Sequence, residues 1–369
     1  MAVNRAVRNA LAAGVVAAAA GLVLRDVPAS LGRRPSGERA ERIRRSPQFR
    51  DGAFRNSDPG ATAPSAPSLE VVRKMIAERE ARRPGGPVPL VTAAPQRPER
   101  TGLGVVWYGH STALVEIEGR RVLLDPIWSE RPSPVRFLGP RRLHPVPAPL
   151  TGLPPIDAVV ISHDHYDHLD MPTVRVLTRT QAAPFLVPLG IGGHLERWGV
   201  PKSRIIELDW EEEAQAAGLR FVATAARHFS GRTLRRNDTL WGSWVIAGDR
   251  RRVFYGGDSG YFDGFAGIGA AHGPFDLTLM PIGAYSDSWP DVHMTPEQAV
   301  AAHLDVGGRL LLPVHWATFT LAPHPWPEPA DRLWREAKAR DVGIVVPRPG
   351  EPVDVAAPPP VDGWWQTLA

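Results

Sequence analysis

At 369 residues the chain is long enough for one large domain with a deep site, and 43% hydrophobic residues with 12 Trp exclude a collagen-like or wholly disordered protein. The absence of cysteine excludes a disulfide framework, a thiolate metal ligand and a cysteine nucleophile, leaving His, Asp and Glu to hold any metal. The net charge of +4 is unevenly placed: two arginines precede residue 25, residues 25–100 carry 16 basic against 9 acidic side chains, and the remainder carries −5. An acidic main domain argues against a groove that tracks nucleic-acid phosphates, so anionic lipid is the better partner for the basic region.

Arg5 and Arg8 precede an unbroken apolar run from Ala10 to Leu24. Residues 1–24 therefore read as a signal- or anchor-like segment, shorter than the roughly 20 apolar residues of a spanning helix. Val27-Pro28-Ala29 is a candidate cleavage site, and an Ala-rich helix packed on the domain is the structural alternative. Residues 25–94 read as a basic, Pro- and Arg-rich linker, with a short helix from Leu69 to Arg82 capped by Ser68.

From about Gly104 the texture changes to short β-branched and aromatic runs alternating with helical stretches, and a single domain is expected over residues 95–369. Predicted strands are Val105–Tyr108, Leu114–Ile117, Val122–Leu124, Ala158–Ile161, Phe185–Val187, Phe221–Ala223, Trp244–Ala247, Val253–Tyr255, Leu277–Met280, Leu310–Leu312 and Ile344–Val346. Helices are predicted at Pro172–Thr178, Gly193–Trp198, Pro296–Leu304 and Pro329–Arg340. Two hairpins look alike, LVEIEGRRVLLDP from Leu114 and WVIAGDRRRVFYGGD from Trp244, which is the pattern of an internal duplication.

His163, His165, Asp167 and His168 crowd the loop after the apolar strand at Ala158. Alternate residues His163 and His165 can grip one metal while Asp167 and His168 grip a second. His228, Asp258 and His315 each follow a predicted strand, so loops at one sheet edge can bring them to the same place. The blander reading of each alone is an ordinary polar residue.

The order HDHYDH, isolated His, GGDSGY and HW resembles the metallo-β-lactamase superfamily. WYGHST, LLDPIWSERPSPVRFLGPRRL, LPPIDAVVISHDHYDHLD, IELDWEEE, LWGSW, GPFDLTLMPIGAY, HMTPEQAV and HWATFTLA resemble, more narrowly, the N-acylphosphatidylethanolamine-hydrolysing phospholipase D family and its bacterial relatives, over about residues 95–355. The resemblance implies an α/β fold, a four-layer αββα sandwich, here with an N-terminal extension. It implies two Zn2+ per chain: His163, His165 and His228 on the first, Asp167, His168 and His315 on the second, and Asp258 between them. It implies a phosphodiesterase that uses water ionised by the metals to release phosphatidic acid and N-acylethanolamine. A soluble zinc lactonase or small-metabolite phosphoester hydrolase is the alternative on the same fold.

Asp167 and His293 are the candidate catalytic residues, His293 as a phosphate contact or proton donor. His110 and Asp125 are expected to orient ligands, with Asp125 equally suited to capping its turn. Tyr166 is expected in a pocket wall and Tyr285 in a rim loop, Gly283–Val292, that departs from the more basic loop of long-chain lipid enzymes. His144, His194, His272, His303 and His324 show no ligand context. The expected partners are a phospholipid and a membrane surface reached through the N-terminal segment, with no nucleic acid, and the resemblance allows a homodimer. The expected location is the cell envelope, membrane-associated or exported if the segment is cleaved.

Overall fold

The computed structural model describes residues 27–58, 69–92, 102–232 and 235–369, with isolated positions 8 and 21. Apart from Arg8 and Gly21, the N-terminal segment 1–24 lies outside the described residues, as does Ser68. Among the described residues no helix is long and apolar enough to cross a membrane.

In chain order the N-terminal part forms α1 (Glu38–Arg45), β1 (Phe49–Arg50), β2 (Ala53–Phe54) and α2 (Leu69–Ala77). The first half of the main domain comprises β3 (Leu103–Gly109), β4 (Thr112–Ile117), β5 (Arg120–Leu124), β6 (Ala158–Val160), α3 (Met171–Thr180), β7 (Phe185–Pro188), α4 (Gly192–Arg197) and β8 (Ile205–Leu208). The second half comprises β9 (Glu213–Ala216), β10 (Leu219–Thr224), β11 (Ser243–Ala247), β12 (Arg252–Tyr255), α5 (Gly264–His272), β13 (Phe275–Pro281), α6 (Pro296–Asp305), β14 (Gly308–Val314), α7 (Glu328–Ala339), β15 (Gly343–Ile344) and β16 (Pro352–Asp354).

Two seven-stranded sheets result, ordered β16-β3-β4-β5-β6-β7-β8 and β15-β14-β13-β12-β11-β10-β9. In each, an antiparallel hairpin leads into parallel strands: β4–β5 into β6 and β7, β11–β12 into β13 and β14. The two similar hairpins therefore hold corresponding places, each followed by an aspartate of the site. Parallel strands need crossovers, and the chain supplies helices for them. Strand alternation divides the packing: Val105 and Trp107 of β3 join the core between the sheets, whereas Val106 and Tyr108 face Val174, Leu177 and Leu195 of α3 and α4. On the other sheet α6 starts at a Thr295–Gln298 capping box and is pinned to β13 by the Thr278 Oγ1 to His303 Nδ1 contact of 2.7 Å. This is the expected four-layer sandwich.

The linker reading of residues 25–94 is corrected over 27–58. Ile43 and Phe54 are buried with Leu189, Trp210, Leu240 and Trp241, so this arm is packed onto the main domain. Its basic charge pairs with the acidic domain, through Arg39 with Glu196 and Glu207, Arg42 with Glu212, and Arg34 with Asp238. Val27-Pro28-Ala29 belongs to the arm too: Trp198 Nε1 donates to the Ala29 carbonyl at 2.7 Å. The short helix that follows ends at Ala77, before the predicted Arg82.

Candidate metal centre

The site is built on strand ends. β6 stops at Val160, and the loop that follows carries His163, His165, Asp167 and His168; β10, β12 and β14 deliver His228, Asp258 and His315 to the same edge. His110, Asp125 and His315 all have positive φ, at 51°, 34° and 61°. Such backbone is sterically unfavourable for non-glycine residues and persists where surrounding structure enforces it.

The seven predicted ligand residues come together as two groups. His163, His165 and His228 have ligand atoms within 4.8 Å of one another, as do Asp167, His168 and His315, the latter joined by His110. Asp258 Oδ2 lies between them, 3.9 and 3.8 Å from His163 Nε2 and His228 Nε2, and 3.1 and 2.9 Å from His168 Nε2 and His315 Nε2. Despite those two short approaches, His168 Nε2 and His315 Nε2 are buried without a hydrogen-bond partner. Buried polar atoms that converge without hydrogen bonds fit cations held between them.

Outer contacts fix which imidazole nitrogen faces inward. Asp125 accepts from Ser162 N at 2.7 Å and lies 2.6 Å from His168 Nδ1, leaving His168 Nε2 to point at Asp258 and Asp167. Ser162 Oγ and Tyr255 OH bind the same carboxylate. Asp125 thus fixes the direction of the His168 ring. His228 Nδ1 faces the Val292 carbonyl at 2.9 Å, and His110 Nε2 lies 3.0 Å from Asp167 Oδ2. Burial, reinforced by His315, pushes the His110 ring down to about 3, so its neutral N–H donates to Asp167. Against burial, His168 and neighbouring imidazoles hold Asp167 and Asp258 well below the usual carboxylate range.

His293 Nδ1 sits 3.9 Å from Asp258 Oδ2, with its ring against those of His228 and His315. Burial pushes it down to about 3, so it stands neutral at physiological pH, suited to hydrogen bonding rather than to holding a ready proton as a cation. It opens onto a cleft of about 230 Å³ shared with Lys74, Tyr285, Gln298, His324 and Arg332. Tyr285 donates to Glu328 at 2.7 Å and stacks on His324. Tyr166 faces elsewhere: its hydroxyl donates to the Arg232 carbonyl, and it lines a separate cavity with Ser30 and Asp170.

The sequence reading missed Ser162, Tyr255 and Asp164, while His194, expected to be surface or structural, has a structural place. Asp164, inside the histidine loop, accepts from Gly231 N at 2.7 Å and faces His194, which is structural. Adjacency to ligands was the available signal for Ser162 and Asp164. It also missed His324, whose Nε2 accepts from Ala284 N at the cleft.

Residues 120–316 match the β-lactamase superfamily domain. An uncharacterized protein of Mycobacterium tuberculosis is 52% identical across 99% of this chain and 100% of its own length. N-acyl-phosphatidylethanolamine-hydrolyzing phospholipase D 1 of Caenorhabditis elegans is 36% identical over 268 residues, 69% of this chain and 75% of that protein. Among solved structures, Igni18, a metallo hydrolase from the archaeon Ignicoccus hospitalis, aligns with TM-score 0.54 and 25% identity over 69% of this chain and 98% of its own. With this sandwich, this pair of ligand groups and these relatives, the chain belongs to the metallo-β-lactamase superfamily and is a metal-dependent hydrolase.

Proposed function

We propose that the chain is a dizinc phosphodiesterase that cleaves N-acylphosphatidylethanolamine-type phospholipids to phosphatidic acid and N-acylethanolamine. The observation that carries it is the position of Asp258 Oδ2 within 3.9 Å of both histidine groups, the arrangement a bridged metal pair requires. His163, His165 and His228 would hold one zinc, Asp167, His168 and His315 the other. A bound pair supplies an ionisable water and positive charge for an in-line displacement at phosphorus. Within that frame Asp125 and the Val292 carbonyl hold imidazoles in one tautomer, and His110 holds Asp167. His293, neutral and beside Asp258, donates a hydrogen bond to the phosphoryl oxygen.

The lipid class is supported by the likeness to the C. elegans enzyme and by α2. Leu69, Val72 and Ile76 are exposed along one stripe of that helix, while Val71 is buried and Lys74 reaches the cleft beside His293. Arg79 lies in the same groove as Val72 and Ile76 and carries charge that anionic headgroups attract. Membrane contact is accordingly assigned to residues 1–24 and to this face. A second reading, hydrolysis of lactones or small-metabolite phosphoesters, is favoured by the modest volume of the cleft and its predominantly polar and charged side chains.

The deciding experiment presents zinc-loaded protein, with a His165→Ala control, with N-acylphosphatidylethanolamine vesicles and follows both products by mass spectrometry. Release of both by the wild type alone supports the proposal. No release from protein shown to hold two zinc ions overturns the lipid assignment and turns attention to small phosphoesters and lactones.

A further inference from the structure

The N-terminal arm does more than cover an apolar patch. Asn56, two residues after β2, meets the metal site's backbone with both ends of its amide. Its Nδ2 donates to the His228 carbonyl at 2.9 Å, and its Oδ1 accepts from His228 N at 3.0 Å. Trp241 Nε1, 3.1 Å from the same oxygen, fixes which way the amide faces. Backbone N–H and C=O of one residue are thus paired as a neighbouring strand would pair them. At its ring His228 is also held by the Val292 carbonyl.

The arm also reaches the histidine loop, each time through one intermediate side chain. Arg33 N donates to His194 Nδ1 at 3.0 Å, and the far side of that ring faces Asp164. Buried Arg232 donates from Nε to the Ser30 carbonyl and from Nη1 to the carbonyls of Asp164 and Leu169, at 2.7 to 2.9 Å. Three separate points of a segment distant in sequence therefore converge on the loops that bear both predicted zinc ligand groups.

We infer that Asn56, in the arm of residues 27–58, is a positioning residue that sets His228 for the first zinc. The inference rests on the dizinc reading of the site. Residues that hold a metal ligand in place change metal affinity by about 10- to 100-fold when removed. Loss of the Asn56 pairing releases the His228 backbone without touching any ligand atom, so the effect falls on the first site and leaves the second.

The test measures zinc per chain by mass spectrometry of the folded protein across a series of competing chelator concentrations, for wild type, Asn56→Ala, Asn56→Ser and Arg39→Ala. Arg39 anchors the same arm through Glu196 and Glu207, away from the metals, and controls for general loosening. The expected result is that Asn56→Ala gives up one zinc at a 10- to 100-fold lower chelator concentration, Asn56→Ser is intermediate, and Arg39→Ala follows wild type. Circular dichroism establishes that each variant is folded; if Asn56→Ala is not, Asn56→Ser decides. Equal zinc retention by wild type and the folded Asn56 variants overturns the inference, as does equal loss in Arg39→Ala. A wild type that binds no zinc overturns the metal reading itself, a separate outcome.

Discussion

Asp125 lies 2.6 Å from His168 Nδ1, on the side of the ring opposite Asp258, so one carboxylate sets the direction in which the histidine faces another. Asp125→Asn keeps the size of the side chain and removes its charge. Weakened orientation of His168 is expected to lower zinc affinity at the second group about 10- to 100-fold while the first retains its metal. Zinc stoichiometry under chelator competition checks this, and unchanged affinity at both sites would contradict it.

Asp258 is the carboxylate common to both groups, and burial leaves its Oδ1 without a hydrogen-bond partner. Asp258→Ala is expected to abolish hydrolysis and to reduce bound zinc at both groups, whereas His165→Ala strips the first alone. Metal content measured beside turnover separates the two. If Asp258→Ala retains two tightly bound zinc ions, it is not the bridge.

Metal removal tests a different property. The core between the sheets and the layer beneath α3 and α4 are built from apolar side chains, so the sandwich should survive without metal. Dialysis against a chelator is expected to abolish activity and lower the melting temperature while preserving far-ultraviolet circular dichroism, with zinc restoring all of the activity. Loss of secondary structure on chelation would show the metals to be needed for folding.

Much of this was legible because strands and ligands leave local marks. Val253-Phe-Tyr before Gly-Gly-Asp258 names both a buried strand and the residue at its end, and Thr295-Pro-Glu-Gln298 spells a capped helix start. β8, β9 and β16 escaped because Ile205–Leu208, Glu213–Ala216 and Pro352–Asp354 are edge strands and are short or polar; pairing partners rather than hydrophobic pattern define them. The arm escaped for a related reason. Its Arg, Pro and Ser content is that of a linker, and it takes a fixed place only through long-range partners, among them the acids of the main domain and the apolar pocket around Trp210 and Trp241. Asn56 carries no sequence mark, because what it binds is the backbone of a residue 172 positions away.

Acid stability offers a prediction away from the metals. His303 is buried in α6 against Thr278, and burial pushes its imidazole down to about 4 from an ordinary value of 6.5. The folded ring stays neutral where the unfolded one takes up a proton, so the unfolded state binds more protons between these values. Its contribution to stability is full above about pH 6.5, declines as pH falls towards 4, and changes little below that. The span corresponds to about 3 kcal/mol. His303→Asn keeps an oxygen that can accept from Thr278 but does not titrate there. Chemical denaturation at a series of pH values should show wild type losing stability more steeply than His303→Asn between pH 6.5 and 4, with the two curves parallel above pH 7. Carboxylate and metal-ligand protonation act on both proteins alike, so the difference between the slopes isolates this ring, and parallel curves throughout would show that it does not titrate in that window.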